Sequence, residues 1–149
     1  MQIQRKYLEV AAKDRGKKAL KGWKFLGEGS ERRAFLGPDG LVYKMAKYGE
    51  NYQSPREVVK VWELRGQEIP EWLFIPRSYY SAEFNVTVME YAEGDKPSSD
   101  CDYRCVCDNE TCWRKRAKWI KDNLGLIDVH GDNVVILEDG RLALVDLGI

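Results

Sequence analysis

Long apolar runs are missing from this chain. No stretch approaches the roughly 18 consecutive apolar residues that cross a bilayer, and the opening Met1-Gln2-Ile3-Gln4-Arg5-Lys6 has no signal-peptide core. A cytoplasmic protein without a membrane partner is the expectation. Net charge is missing as well: 24 Lys and Arg balance 24 Asp and Glu, which gives no overall pull toward nucleic acid. There is no internal repeat. With 149 residues, 44% of them hydrophobic and 32% charged, the composition excludes a disordered or fibrous chain and leaves one globular domain.

What is present is unevenly distributed. Residues 1–24 hold eight Lys or Arg against two Asp or Glu, whereas residues 83–110 hold eight acidic against two basic. The basic start reads as a solvated amphipathic helix over 1–21, with Ile3, Tyr7, Val10 and Ala11 on the packed side. An interface for an acidic partner or nucleic acid would need those charges clustered in space too, and nothing in the sequence establishes that.

From Gly22 the pattern turns to short β-rich runs at 23–26, 33–36 and 41–46, with Gly37-Pro38-Asp39-Gly40 as turn chemistry. Ser54-Pro55 opens a helix to about residue 65, with Val58, Val61, Trp62 and Arg65 on one face. Strands are expected at 77–82 and 86–91. Residues 92–112, rich in Gly, Asp, Ser, Pro and Cys, read as a loop. A second helix begins near Thr111, with Trp113, Ala117, Ile120 and Leu124 inward. A hairpin over 134–137 and 142–145 turns at Glu138-Asp139-Gly140.

Three elements carry chemistry. Gly27-Glu28-Gly29 lies between two expected strands, where small residues let backbone amides approach phosphate; two glycines are also common in ordinary turns. Lys44 ends an apolar strand run, where an ammonium needs an anionic partner. Glu57 is the candidate, at the rim of the helix face beside Val61 and Leu64, although Ser54-Pro55-Arg56-Glu57 equally fits a capping box. The third element is the segment 124–133 with Asp128 and Asn133, followed by the hairpin and Asp146. Returning the chain there lets two carboxylates and an amide oxygen converge as a hard-cation site, suited to magnesium on phosphates.

On these residues the chain resembles the protein-kinase superfamily, in particular the minimal serine/threonine kinases encoded early by short-tailed bacteriophages. The resemblance covers about residues 22–149. It implies an α+β fold: an N-lobe of antiparallel sheet plus one main helix (22–91, with the hinge), the Cys-rich acidic loop (92–112), and a truncated C-lobe (113–149) ending at the DFG-type motif. Gly27 and Gly29 match the glycine loop, Lys44 the lysine that holds the α- and β-phosphates, and Glu57 its helix partner. Val88-Met89-Glu90-Tyr91-Ala92 is similar to the hinge, implying that Met89 is the gatekeeper and that the Glu90 and Ala92 backbones pair with adenine. Asp128 matches the catalytic aspartate, and Asn133 and Asp146 match the magnesium ligands, five and then thirteen residues further on. ATP and magnesium are the implied cofactors.

Departures set the alternatives. Arg32 stands where the third loop glycine is expected, which implies a lid less mobile or less closely applied. His130 gives an Asp-x-His-x-x-Asn pattern like that of aminoglycoside-type phosphotransferases, and it serves either near the γ-phosphate or in a hydrogen bond inside its loop. The chain stops at Gly148-Ile149 without an activation segment, so a homodimer or a partner completing the missing lobe is expected. Cys101, Cys105, Cys107 and Cys112 fall within twelve residues. They could bind zinc, stand as reduced thiols or form disulfides on oxidation; paired Cys-x-x-Cys spacing is lacking, and the compartment disfavours disulfides. The leading expectation is transfer of phosphate from ATP to Ser or Thr of host proteins, in a host cytoplasm, or of the chain itself. A pseudokinase-like module that binds and blocks a host protein is the alternative. A small-molecule kinase is a third reading, disfavoured because no residues remain to enclose a substrate pocket.

Overall fold

A computed structural model describes residues 1–13, 20–49, 53–97, 112–126 and 129–147. The chain divides into two compact units, one of residues Met1–Trp62 with Arg77–Tyr91 and one of Glu63–Pro76 with Ala92–Ile149. The fold is mixed α+β, with three helices among the described residues.

The first unit is built on one antiparallel sheet. Strands β1 (Lys24–Glu28), β2 (Arg32–Leu36) and β3 (Leu41–Ala46) follow one another, and β6 (Val86–Glu90) and β5 (Ser78–Ser81) extend the sheet in the order β1-β2-β3-β6-β5. The β2–β3 turn is fixed locally. Gly40 takes a positive φ of 81°, and a Cβ on Gly37 would lie 2.8 Å from the Tyr43 ring, so both need glycine. Asp39 completes the turn by accepting from Leu41 N at 3.2 Å and from the Tyr43 hydroxyl at 2.6 Å.

That turn sets a register pairing Ala34 with Lys44 and Phe35 with Tyr43, and β3 then pairs Lys44 with Thr87 and Tyr43 with Val88. Alternation gives the sheet two different faces. Phe35, Tyr43, Met45, Val86 and Val88 form one core with Leu8, Ala11 and Leu20. Helix α1 (Arg5–Lys13) covers this face, and Tyr7, Trp23 and Tyr43 meet there edge to face, Trp23 and Tyr43 at 4.8 Å. Arg5 ties α1 down further, as a fork on the Glu83 carboxylate at 2.6 and 3.1 Å. Ile3, Tyr7 and Ala11 pack against the core as expected, whereas Val10 is 37% exposed and Leu8 is buried in its stead.

Helix α2 (Gln53–Arg65) begins one residue earlier than expected, and its buried stripe differs. Ser54, Glu57, Val61 and Leu64 are buried, whereas Trp62 is 53% exposed. Trp62 lies outside because its indole N–H donates to the Ser78 carbonyl at 2.9 Å, a contact reached along the sheet edge. Glu57 sits in the middle of the buried stripe and not at its rim.

The second unit has its own sheet in the order β4-β9-β8-β7, from β4 (Leu73–Phe74), β9 (Leu142–Leu144), β8 (Val134–Leu137) and β7 (Gly94–Asp95). Strands β8 and β9 are the expected hairpin. Strand β4 joins β9 in parallel, and β7 forms within the segment read from sequence as loop. Gly94 makes β7 possible, since a Cβ there would lie 2.1 Å from the Ile136 carbonyl oxygen. Helix α3 (Trp113–Leu124) buries Ala117, Ile120 and Leu124 and ends at Gly125 in the left-handed conformation. Trp119 packs edge-on to Trp72 at 5.6 Å, and Arg116 lies over Trp72 and donates to the Gly140 carbonyl. Among the described residues no helix is long and apolar enough to cross a membrane.

Candidate functional site

Lys44 lies on the sheet face opposite the aromatic core, in line with Val42 and Ala46. It is 6% exposed, and its ammonium meets Glu57 Oε1 at 3.0 Å. Glu57, 2% exposed, is also gripped by Arg32, whose Nη2 reaches Oε2 at 2.8 Å and whose Nη1 reaches Oε1 at 3.2 Å. Arg32 Nη1 donates in addition to Ser54 Oγ at 3.1 Å. Burial alone would push the Glu57 carboxyl up; the charges of Lys44 and Arg32, with their hydrogen bonds, outweigh it and hold the group at about 2. Arg32 is the residue that sequence reasoning missed. Read as a replaced glycine it belonged to a loop, yet its pairing with Ala46 puts it on the Lys44 face. The β2–β3 register was the signal that could have found it.

In the glycine loop, Gly27 sits at a bulge with φ 155°, and Gly29 N–H donates to the Arg32 carbonyl at 2.9 Å, closing the β1–β2 hairpin. Glu28 accepts from Arg33 at 3.0 Å and Lys47 at 3.2 Å on the neighbouring strand and its extension. Met89 is buried opposite Val42 and Ser78. At Glu90 the N–H donates to the Arg77 carbonyl at 3.0 Å, and the carboxylate accepts from Arg77 N, Nε and Nη2 at 2.8, 2.9 and 3.0 Å. The Glu90 amide proton is therefore engaged within the sheet edge. Thr87, beside Lys44 in register, is fully buried, and its hydroxyl has no hydrogen-bond partner among the described residues.

In the second unit, the hairpin brings Asn133 and Asp146 together. The Asn133 carbonyl accepts from Val145 N at 2.9 Å and from Asp146 N at 3.4 Å. Asn133 is buried and Asp146 partly so. A turn from the His130 carbonyl to Asn133 N, 2.9 Å, shapes the approach. The His130 ring accepts from Asp132 N at Nδ1, 3.2 Å, and its Nε2 lies 3.2 Å from the Asn133 amide. Asn133 Nδ2 is the amide atom facing His130 Nε2, and the donor and acceptor roles at that ring nitrogen depend on the imidazole tautomer. Asn133 and Asp146 are backbone neighbours, and an amide oxygen and a carboxylate are hard donors of the kind magnesium takes, one or two at a time, with water and phosphate completing its shell.

Asp128 lies outside the described residues, as do Cys101, Cys105 and Cys107. Cys112 is buried immediately before α3. Ala92 is buried in the second unit.

No protein-family model matches the chain, and no curated protein does. Among solved structures, the streptomycin–ATP ternary complex of APH(2")-IIa aligns over 99% of this chain and 71% of that one, with a TM-score of 0.53 and 15% identity. The fold is kinase-like. A GDP complex of a mutant aminoglycoside 2'-phosphotransferase-IIIa aligns over 62% of this chain and 32% of that one, at a TM-score of 0.39 and 15% identity. These structural neighbours are aminoglycoside phosphotransferases of the protein-kinase-like superfamily. At such identity the likeness is one of fold, and within the kinase-like fold the sheet of the first unit supplies Lys44 and Arg32 while α2 supplies Glu57.

Proposed function

We propose that this chain transfers the γ-phosphoryl group of ATP to a hydroxyl, in the manner of a kinase, with Ser or Thr of a host protein or of the chain itself as acceptor. The observation that carries the reading is the buried Lys44–Glu57 pair at 3.0 Å on a kinase-like fold. Glu57 orients the ammonium, and Lys44 holds the α- and β-phosphates. Gly27 and Gly29 allow the loop backbone close to the phosphates, and the Glu90 carbonyl and Ala92 backbone take the adenine edge. Asn133 and Asp146 hold magnesium, which when bound neutralises charge on the phosphate oxygens. Asp128 takes the proton of the acceptor hydroxyl as its oxygen bonds to phosphorus and the bond to the ADP oxygen breaks. A bacteriophage source belongs to this reading, since the resemblance on which it rests is to the minimal phage kinases.

A second reading is a small hydroxylic acceptor of aminoglycoside type. It is supported by the streptomycin–ATP complex of the APH(2")-IIa neighbour and by His130 in its Asp-x-His-x-x-Asn setting. Both readings share the chemistry at phosphorus. The deciding experiment follows label from γ-labelled ATP in the presence of magnesium, offering cell extract, the chain alone or an aminoglycoside. Label in protein supports the first reading and label in the aminoglycoside the second. Asp128→Asn should lower either by at least about a hundredfold while ATP still binds. If the unaltered chain binds ATP but passes label to no acceptor, a nucleotide-binding module that blocks a host protein replaces both.

A further inference from the structure

We infer that Arg32 is a positioning residue that holds Glu57, and through it α2 and Lys44, in the paired arrangement whether or not nucleotide is present. The functional part of this rests on reading Lys44 and Glu57 as phosphate-side residues. The geometry is asymmetric. Lys44 offers Glu57 one contact at 3.0 Å from a flexible stem. Arg32 offers a planar fork, at 2.8 and 3.2 Å, and a third hydrogen bond to Ser54 Oγ at 3.1 Å. A bidentate guanidinium fixes the plane of a carboxylate as an ammonium cannot.

Ser54 and Glu57 lie three residues apart, so Arg32 grips two points on the same face of the first turns of α2 and fixes its rotation as well as its distance from β2. All three residues are buried. In such surroundings breaking the fork strands charge away from water, so the arrangement is self-enforcing. The consequence is preorganisation: the carboxylate that aims Lys44 is in place before an anion arrives, and no modification elsewhere is needed to bring α2 in. At the position where the kinase resemblance expects a third loop glycine, the chain carries a side chain directed inward as an anchor.

The test uses the full chain and compares amide hydrogen exchange along α2, residues 56–62, with that of Tyr43 and Val88 in the sheet as an internal reference. Arg32→Met should speed α2 exchange relative to those strands by about tenfold or more, and weaken Mg-ATP binding by a similar factor. Lys44→Met should weaken binding yet leave α2 protection at its original level. Arg32→Lys keeps the charge without the fork and should recover α2 protection only in part. A purely structural role for Arg32 would instead loosen strands and helix together. The inference is overturned if α2 keeps its protection in Arg32→Met, if the strands loosen equally, or if Lys44→Met loosens α2 as much. Should Arg32→Met not fold, full α2 protection in Arg32→Lys overturns it. If the unaltered chain binds no ATP, the nucleotide reading falls on its own and the exchange comparison still decides the anchoring.

Discussion

Glu57 is a carboxylate that the fold can keep only in its charged form. Held at about 2 where an unfolded chain has about 4.5, it adds stability that is fully present above the unfolded value and is lost as pH falls through the folded one. The unfolded state binds the proton first, so stability rises with pH across that window. The difference corresponds to about 3 kcal/mol. Glu57→Gln should therefore flatten the acid limb of a urea-stability profile between pH 5 and 2, and at pH 7 cost about 3–5 kcal/mol, because two buried cations lose their shared partner. An acid limb as steep in the variant as in the parent would place the titration elsewhere. Some of this was legible in the sequence. Lys44 ended an apolar run and Glu57 sat on a helix three residues after Ser54, which sufficed to suggest the pair. Arg32 was not legible, because a charged residue after two glycines looks like loop until strand register assigns it a face.

Among the elements, legibility followed length and turn chemistry. Strand β3 and strand β8 lie where alternation or an apolar run beside a glycine turn put them. Strands β4 and β7, of two residues each, carry no period of their own. Their existence depends on β9 and β8 offering hydrogen-bond partners, which a local reading cannot supply. The edges of the α1 and α2 faces were misjudged for the same reason: Ile3, Tyr7, Ala11 and Val61 pack inward as expected, but Val10 and Trp62, apolar enough to be inside, are exposed, and what decides is which neighbour each helix meets. Gly94 gives a direct test of β7. Gly94→Ala would drive a methyl group into the Ile136 carbonyl, and a loss of more than about 3 kcal/mol in denaturant unfolding is expected. Gly131→Ala, where the nearest atom is a Trp113 ring carbon at 3.8 Å, should cost less than about 1 kcal/mol and serves as the control. Equal losses in the two would mean that β7 contributes nothing to the second unit.

For the molecule as a whole, the nucleotide proposal makes a thermal prediction. A ligand at a hundred times its dissociation constant adds about 2.7 kcal/mol to stability, which for a chain of this size raises the melting temperature by roughly 5–10 °C. Mg-ATP should do this for the parent, and Lys44→Met and Asp146→Ala should each abolish the rise. A rise that survives both changes would put the nucleotide somewhere other than these residues. The kinase-like fold also determines which inherited changes the chain can absorb. In β3 the odd and even positions serve separate purposes, Tyr43 and Met45 for the aromatic core and Val42, Lys44 and Ala46 for the opposite face. A point substitution disturbs one of them. Loss of a single codon within β3 would exchange them, turning the lysine toward Tyr7 and Trp23 and the tyrosine toward Glu57. Loss of two codons would keep each face in phase and only shorten the strand. Length variation here should therefore be tolerated in steps of two residues and rejected in steps of one.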